Sequence, residues 1–530
     1  MPKLLNKKRK IILFFVIINA FLQATLVGVF SYVLKNIYDS KELDFTIHSD
    51  PTANIWLAIL ITLLIASLKI IERIHSETLG QDYVIDIRVK LFKRYSSLSS
   101  NSYDKLRKGL VFLRFANDLN SLKLWLSHGI SRLSVSMVLL IVTVLALFFI
   151  NTYLAMSFLI LSLFNILFLF LAGRFFDQRV REVRNIRGKI SGNISEKIEN
   201  IDIVQAFAQR KAEESLVKQH SQQLKEAMIS KTRISGLLRG ISYFFSSITI
   251  VVLLVIGNWA VSEGLTTKGD VAAALTITFL ISPSFIVFSR AFEHWKTYQI
   301  AKSRTEKLLK KGKSIKVTNP VSLQEFKGDL ELRNINVTNV IESFSGNVVS
   351  GNVAIIKGAN GSGKTTLLKL ILRLNDPNSG EIFLDNTNIK NIKTGSLRRQ
   401  VSIASISQSL FRGTIQFNIG YGSSKSRLKD IVMACELCGL DYKSPNSPYY
   451  LKKTISENGT NISDGEKMRI ILARALVSRP KVLLLDQPER FLDSLGFSSL
   501  KDMILNYKGT IVLATNNADL TRMGDVIWQL

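Results

Sequence analysis

Cysteine is all but missing from this sequence. Cys435 and Cys438 form a single CxxC pair in 530 residues, with no second pair and no histidine nearby. That argues against a zinc site, a redox centre or a disulfide framework. The pair reads instead as two small residues on a helix of a reduced cytosolic domain. Acidic residues are scarce too: 41 Asp and Glu stand against 69 Lys and Arg, a formal charge of +28. In a soluble chain such an excess would suggest nucleic acid, but its distribution points elsewhere. Residues 1–324 carry 43 basic against 22 acidic side chains, and residues 325–530 carry 26 against 19. The excess therefore lies mostly where the long apolar runs lie. Cationic segments beside anionic headgroups account for it, and nucleic acid is not expected as a partner. Internal repeats and low-complexity tracts are absent.

What the sequence does have is apolar length. Hydrophobic residues make up 47%, and mean hydropathy is +0.20. Six apolar segments, about 11–34, 55–74, 133–150, 153–172, 241–261 and 271–289, are each near bilayer length. The first follows a KKRK run, the flank of a signal peptide, but it is too long and lacks a clear small-residue cleavage site. With the N-terminus inside, the outside loops 35–54, 151–152 and 262–270 hold only Lys35, Lys41 and Lys268 as basic residues. The inside segments 75–132 and 173–240 are rich in Lys and Arg, so charge and span count give one topology. Those segments have few Gly or Pro interruptions and read as helical continuations of the spans. The sequence thus predicts an all-α six-helix transmembrane domain over 1–300, a basic linker over 301–324, and an α/β P-loop domain over 325–530. In the last, short β-rich runs alternate with helical stretches.

The chemistry concentrates in two stretches of that last domain. GANGSGKT, Gly358 to Thr365, is a phosphate-binding loop: its glycines turn backbone N–H groups inward, Lys364 reaches the outer phosphates, and Thr365 can hold Mg²⁺. LLLDQPE, Leu483 to Glu489, is an apolar strand ending in Asp486, a second Mg²⁺ ligand. Read with six spans, these stretches resemble an ATP-binding cassette exporter of the half-transporter kind, and the resemblance covers nearly the whole chain. Ser102–Asp104, Gly109, Arg114 and Asn117–Asp118 resemble the family's first cytoplasmic loop, and Ile194 to Phe207 its second. The resemblance implies that both loops dock on cassettes. Gln408, followed by LFRGTIQFNI, resembles the Q-loop and is implied to touch Mg²⁺. Glu457 and Gly459 sit before the signature segment ISDGEKMRIILARAL, and Asp493 resembles the D-loop aspartate. The implied ATP·Mg²⁺ site comprises Gly358, Ala359, Asn360, Gly361, Ser362, Gly363, Lys364, Thr365, Thr366, Gln408 and Asp486. Ser463 and Gly465 of a second half-transporter would complete it, with Thr365, Gln408 and Asp486 as metal ligands.

Five departures qualify that resemblance. Gln487 stands where the family has the glutamate that polarises water, and Asn516 where it has the switch histidine. Asp464 and Glu466 make the signature acidic, at a helix start that otherwise favours an anion. A carboxylate roughly 6 Å from a phosphate could cost about 2–3 kcal/mol at an effective dielectric near 20. No aromatic lies near Val337–Val340 to stack on adenine, Phe344 being a weak substitute, and the sequence ends at Leu530 without the usual helical tail. Gln487 alone would fit an ATP-trapping substitution, whereas Asn516, Asp464 and the missing aromatic fit natural degeneracy. Slow or partner-dependent ATP turnover is the expectation. The exporter reading moves an amphipathic or hydrophobic substrate, such as a peptide, lipid or drug, across the cytoplasmic (inner) membrane as half of a homodimer or heterodimer. The alternative is an impaired, ATP-gated regulator or degenerate subunit. Asn19, Gln23, Asn165 and the Ser282–Pro283–Ser284 break are candidate cavity residues, with helix–helix hydrogen bonding as the rival role. Lys69, Glu72, Arg290 and Glu293 lie near the cytoplasmic span ends, where snorkelling or ion pairing explains them.

Overall fold

The structure is a computed structural model that describes residues 1–39, 51–104, 115, 118–174, 176–315, 317, 321, 326–423, 426–440 and 447–530. Lys41, Gly109, Arg114 and Asn117 lie outside the described residues. Two compact units form: Met1–Ser96 with Lys105–Lys311, and Ser97–Asp104 with Gly312–Leu530. In chain order, the helices before the first strand are α1 (Lys7–Asp39), α2 (Pro51–Ser96), α3 (Ser100–Asp104), α4 (Leu119–Leu124), α5 (Ser131–Ile150), α6 (Thr152–Gly173), α7 (Phe176–Glu199), α8 (Ile201–Ala206), α9 (Arg210–Ser262), α10 (Lys268–Ile281) and α11 (Pro283–Lys310). A π-helical turn, Trp125–Ile130, joins α4 to α5.

Among the described residues the first unit is built of helices without strands, and six of its helical stretches are long and apolar enough to cross a membrane. Large side chains such as Trp56, Leu63, Phe149 and Phe279 face outward, as they must where lipid replaces water. Its interior uses small and hydroxylated residues that let helices approach closely. Ser76 and Ser131 share a hydrogen bond of 2.6 Å, and the Ser31 hydroxyl donates to the Ala273 carbonyl at 2.8 Å. Asn151 caps α6 by accepting from the Tyr153 and Leu154 amides, which makes the α5–α6 hairpin tight. Thr267 and Asp270 form a capping box at α10, and Asp270 pairs with Lys35 of α1 at 2.6 Å. The KKRK run has a structural role beyond headgroup attraction. Arg9 is fully buried, pairs with Asp82 and Asp86 of α2, and donates to the Lys3 and Leu4 carbonyls.

Two of the candidate cavity residues are spent on packing. The Asn19 amide donates to the Leu68 carbonyl at 3.2 Å, and Gln23 donates to Asn19 and to Glu72. Asn165 differs: it is buried, and neither polar atom of its amide has a partner among the described residues. At Ser282 the backbone stays right-handed helical, and Pro283 opens α11 at a position that tolerates it.

The second unit is α/β. A five-stranded, all-parallel sheet runs in the order β11-β3-β10-β9-β6, and a four-stranded antiparallel sheet runs β2-β1-β4-β5. Here β1 is Leu330–Val337, β2 Ile341–Val348, β3 Val353–Lys357, β4 Ser379–Leu384, β5 Thr387–Asn388, β6 Val401–Ser405, β7 Gly413–Thr414, β8 Thr454–Ile455, β9 Val482–Asp486, β10 Thr510–Ala514 and β11 Val526–Gln529. The strands β9 and β10 are buried at every residue, which explains their unbroken apolar runs. Helices α12 (Lys364–Ile371), α13 (Thr394–Gln400), α14 (Ile415–Gly420), α15 (Leu428–Leu437), α16 (Ser447–Lys452), α17 (Asp464–Leu476), α18 (Ser494–Asn506) and α19 (Ala518–Thr521) complete the unit. Cys435 and Cys438 are free and buried in the core around α15 and α17. Burial pushes the Cys435 thiol up to about 12, so it is a packing residue and no thiolate nucleophile.

Candidate nucleotide site

Parallel register aligns the chemistry. In the sheet, Ser405 pairs with Asp486, Asp486 with Ala514, and Ala514 with Ile356, so four strand ends converge at one edge. There β3 runs into the phosphate loop and α12. Gly361 and Gly363 take φ of +87° and +99°, left-handed values that favour glycine. A Cβ on Gly363 would also lie 2.9 Å from the Ile341 side chain, so only glycine fits both the angle and the space.

Within the loop, the Lys364 ammonium donates to the carbonyls of Gly358 and Ala359, both at 2.8 Å. Burial, reinforced by the Arg490 charge and opposed by Asp486, holds this lysine below the usual lysine range. Thr365 donates to both Asp486 oxygens at 3.0 Å, and Ser405 donates to the same carboxylate at 2.9 Å. Among the described residues, the Gln408 amide oxygen is buried without a hydrogen-bond partner, as is the Ser362 hydroxyl. A buried oxygen with no donor is the acceptor a hard cation needs. Thr365, Asp486 and Gln408 therefore have the donor set for Mg²⁺, and the loop amides with Ser362 suit phosphate.

Gln487 sits at φ +47°, and its backbone N–H donates to the Ala514 carbonyl at 3.0 Å. Asn516 accepts from the Gly358 N–H at 3.5 Å. The turn after Gln487 carries two charges that the sequence did not single out. Glu489 accepts from the Thr515 hydroxyl at 2.6 Å while its second oxygen is buried and unpartnered; burial pushes its carboxyl up against that hydrogen bond. Arg490 donates to the Asn360 side chain at 3.1 Å.

The signature residues stand apart from this cluster. Ser463 caps α17 by accepting from the Glu466 N–H at 3.1 Å, and Gly465 packs near the Phe491 carbonyl. Among the described residues, no hydrogen bond joins either to the phosphate loop of the same chain. Glu466 is partly neutralised, since it accepts from Lys453 at 3.0 Å and Tyr450 at 3.2 Å. Asp464 remains the exposed carboxylate of that turn. Phe344 packs edge to face on Trp528, leaving Val340 as the exposed apolar side chain over Gly363. Ser405, Glu489 and Arg490 are thus the additions that motifs alone did not reveal, while Val340 fills the stretch where an aromatic was expected. Ser405 carries no motif, and only strand register reveals it.

Two further features bear on function. In the first unit, a cavity of about 310 Å³ is lined by Trp125, Phe170, Phe288, Phe292 and Trp295, among others. Arg174 lies over the Phe170 ring, and Lys296 over Trp295 and Phe292. In the second unit, the segment holding α3 is bonded to the loop after α12. Asn101 and Asn375 exchange hydrogen bonds of 2.9 and 3.0 Å, and the Ser100 N–H donates to the Leu374 carbonyl.

Comparison with known proteins agrees with this architecture. Residues 11–284 match the family described as ABC transporter transmembrane region, and residues 341–490 match the family described as ABC transporter. The chain is 26% identical over 474 residues to the ATP-dependent lipid A-core flippase of Syntrophus aciditrophicus (strain SB), covering 86% of this chain and 77% of that protein. It is 25% identical over 448 residues to the uncharacterized ABC transporter ATP-binding protein YwjA of Bacillus subtilis (strain 168), covering 81% and 76%. A solved bacterial Atm1-family ABC exporter with ATP bound superposes with a TM-score of 0.84 at 19% identity, over 98% of this chain and 94% of that one.

Proposed function

Because this chain belongs to the ABC transporter family, a multi-pass membrane exporter with a cytoplasmic ATP-binding cassette, we propose that it works as one half of a dimer that exports an amphipathic or hydrophobic substrate. The observation that carries this reading is the cluster of Lys364, Thr365, Ser405, Gln408 and Asp486 at one sheet edge. On ATP binding, Lys364 exchanges the carbonyls of Gly358 and Ala359 for outer-phosphate oxygens. Thr365, Asp486 and Gln408, whose amide oxygen has no partner among the described residues, would hold Mg²⁺. Held there, Mg²⁺ would neutralise charge on the phosphates. Ser463 and Gly465 of one chain close over the phosphate loop of the other, which fits their separation from the loop of their own chain.

Turnover is slow in the homodimer, because the amide of Gln487 accepts no proton from water and Asn516 replaces an imidazole. A partner with a carboxylate at the position of Gln487 speeds one of the two sites. The aromatic cavity supports an amphipathic or hydrophobic cargo, and the lipid A-core flippase among the relatives makes a lipid a natural first choice to test. Two contacts support coupling. One is the Asn101–Asn375 exchange at the end of the α12 path. The other is α8, where Ile201 and Ile203, with Phe207 just after the helix, are exposed and offer an apolar surface suited to docking on a cassette. The Gln487 amide also favours a second reading, in which ATP binding alone gates the protein. Vesicles holding the purified chain, loaded with fluorescent lipid, separate the two: ATP-dependent lipid movement that Lys364→Ala abolishes supports export. ATP binding without movement, alone or with a second cassette half, supports the gated reading.

A further inference from the structure

Arg490 lies on the turn that follows Asp486 and Gln487, and it is exposed while its guanidinium reaches back to Asn360 of the phosphate loop at 3.1 Å. The loop has a direction. The Lys364 ammonium, the group that reaches the outer phosphates of a nucleotide, bonds the carbonyls of Gly358 and Ala359. Asn360 is the next residue, so Arg490 approaches the loop at the outer-phosphate end. Its charge is felt by Lys364 itself, which puts two cations at that end. The acidic groups nearby are engaged elsewhere by hydrogen bonds: Asp486 accepts from Thr365 and Ser405, and Glu489, whose charge interacts with Arg490, accepts from Thr515. Among the described residues, Arg490 has no ion pair within 4 Å; its hydrogen bond is to a neutral amide. A guanidinium held by a neutral acceptor exchanges it readily for a phosphate, to which it can give two charge-assisted hydrogen bonds.

We propose that Arg490 is a second phosphate ligand in this chain's own nucleotide site, contacting the terminal phosphate and making the site discriminate ATP from ADP. It rests on the reading of Gly358–Thr365 as the nucleotide site. It also gives the acidic signature a counterpart: the added cation offsets the repulsion that Asp464 of the opposing chain exerts on the same phosphate. The bland role for Arg490 is to anchor the loop through Asn360, and that role predicts equal loss of every nucleotide.

Equilibrium binding of ATP and of ADP, each with Mg²⁺, to the purified full-length chain in lipid nanodiscs tests the assignment. Arg490→Ala is expected to weaken ATP roughly tenfold and ADP by less than about threefold, with Arg490→Lys between wild type and Ala for ATP. Asn360→Ala, which removes the anchor and leaves the guanidinium, is expected to weaken both nucleotides by one factor. Arg490→Ala that leaves ATP binding unchanged, or weakens ATP and ADP equally as Asn360→Ala does, overturns the proposal. Wild-type protein that binds neither nucleotide overturns the reading of the loop itself, a different result from the first two.

Discussion

Asp486 takes three hydrogen bonds from two hydroxyls, and Lys364 gives two to the loop that should hold a nucleotide. Both residues satisfy in the protein the groups they would turn to ATP·Mg²⁺. Lys364→Ala should therefore abolish ATP binding, checked by equilibrium titration with a fluorescent ATP analogue. Gln487→Glu restores a carboxylate that can accept the proton of water. General-base catalysis contributes about 10²–10⁴-fold, so a rise in steady-state phosphate release of at least tenfold is expected, with Asn516 limiting the gain. Glu489 allows a pH test. Burial raises its pKa in the folded protein above the ordinary 4.5, so the stability it contributes is present below the unfolded pKa and is lost as pH rises through the folded one. Glu489→Gln stays neutral throughout. The variant should melt about 2 °C higher than wild type near pH 8, with the gap closing as the pH falls toward 4; a gap that widens on acidification would contradict the burial argument.

Among elements, α12 joins the nucleotide to the rest of the second unit. Its first residue is Lys364, and the loop beyond it bonds Asn101 and Ser100 through Asn375 and Leu374. Asn375→Ala removes a reciprocal pair without touching the phosphate loop. ATP binding should stay within about twofold of wild type while ATP-dependent lipid movement falls at least tenfold, measured in the same vesicles. Much of the element plan was legible in the sequence, because long apolar runs and buried parallel strands each leave an unbroken pattern, and the GANGSGKT loop fixes where a strand meets a helix. Long-range placement was not legible. That residues 97–104 fold with the second unit depends on side chains 274 positions apart, and that Ser405 faces Asp486 depends on a register set by the whole sheet. Asn19 and Gln23 show the same limit: their polarity announced a special position, and only packing revealed that they bond α1 to α2.

At the scale of the whole molecule, the proposed dimer rests on two features of one chain. Among the described residues, Ser463 and Gly465 share no hydrogen bond with their own phosphate loop, and α8 presents an apolar surface to solvent. Both features fit the proposed pairing with a second chain, in which ATP would draw two cassettes together. ATP shifts the equilibrium of the spans only to the extent that it binds one arrangement better than the other. Leu265 is exposed in the outside turn between α9 and α10, so a single spin label there reports the separation of two copies across the outer opening. Within one chain, the Lys35–Asp270 pair ties the outer ends of α1 and α10, so a change in this distance reflects movement between copies. Pulsed electron–electron resonance on Leu265→Cys, with Cys435 and Cys438 replaced by Ala, should give a longer distance with ATP·Mg²⁺ than without nucleotide, and no change in Lys364→Ala. A distance that stays fixed while ATP is demonstrably bound would contradict ATP-driven export by this chain.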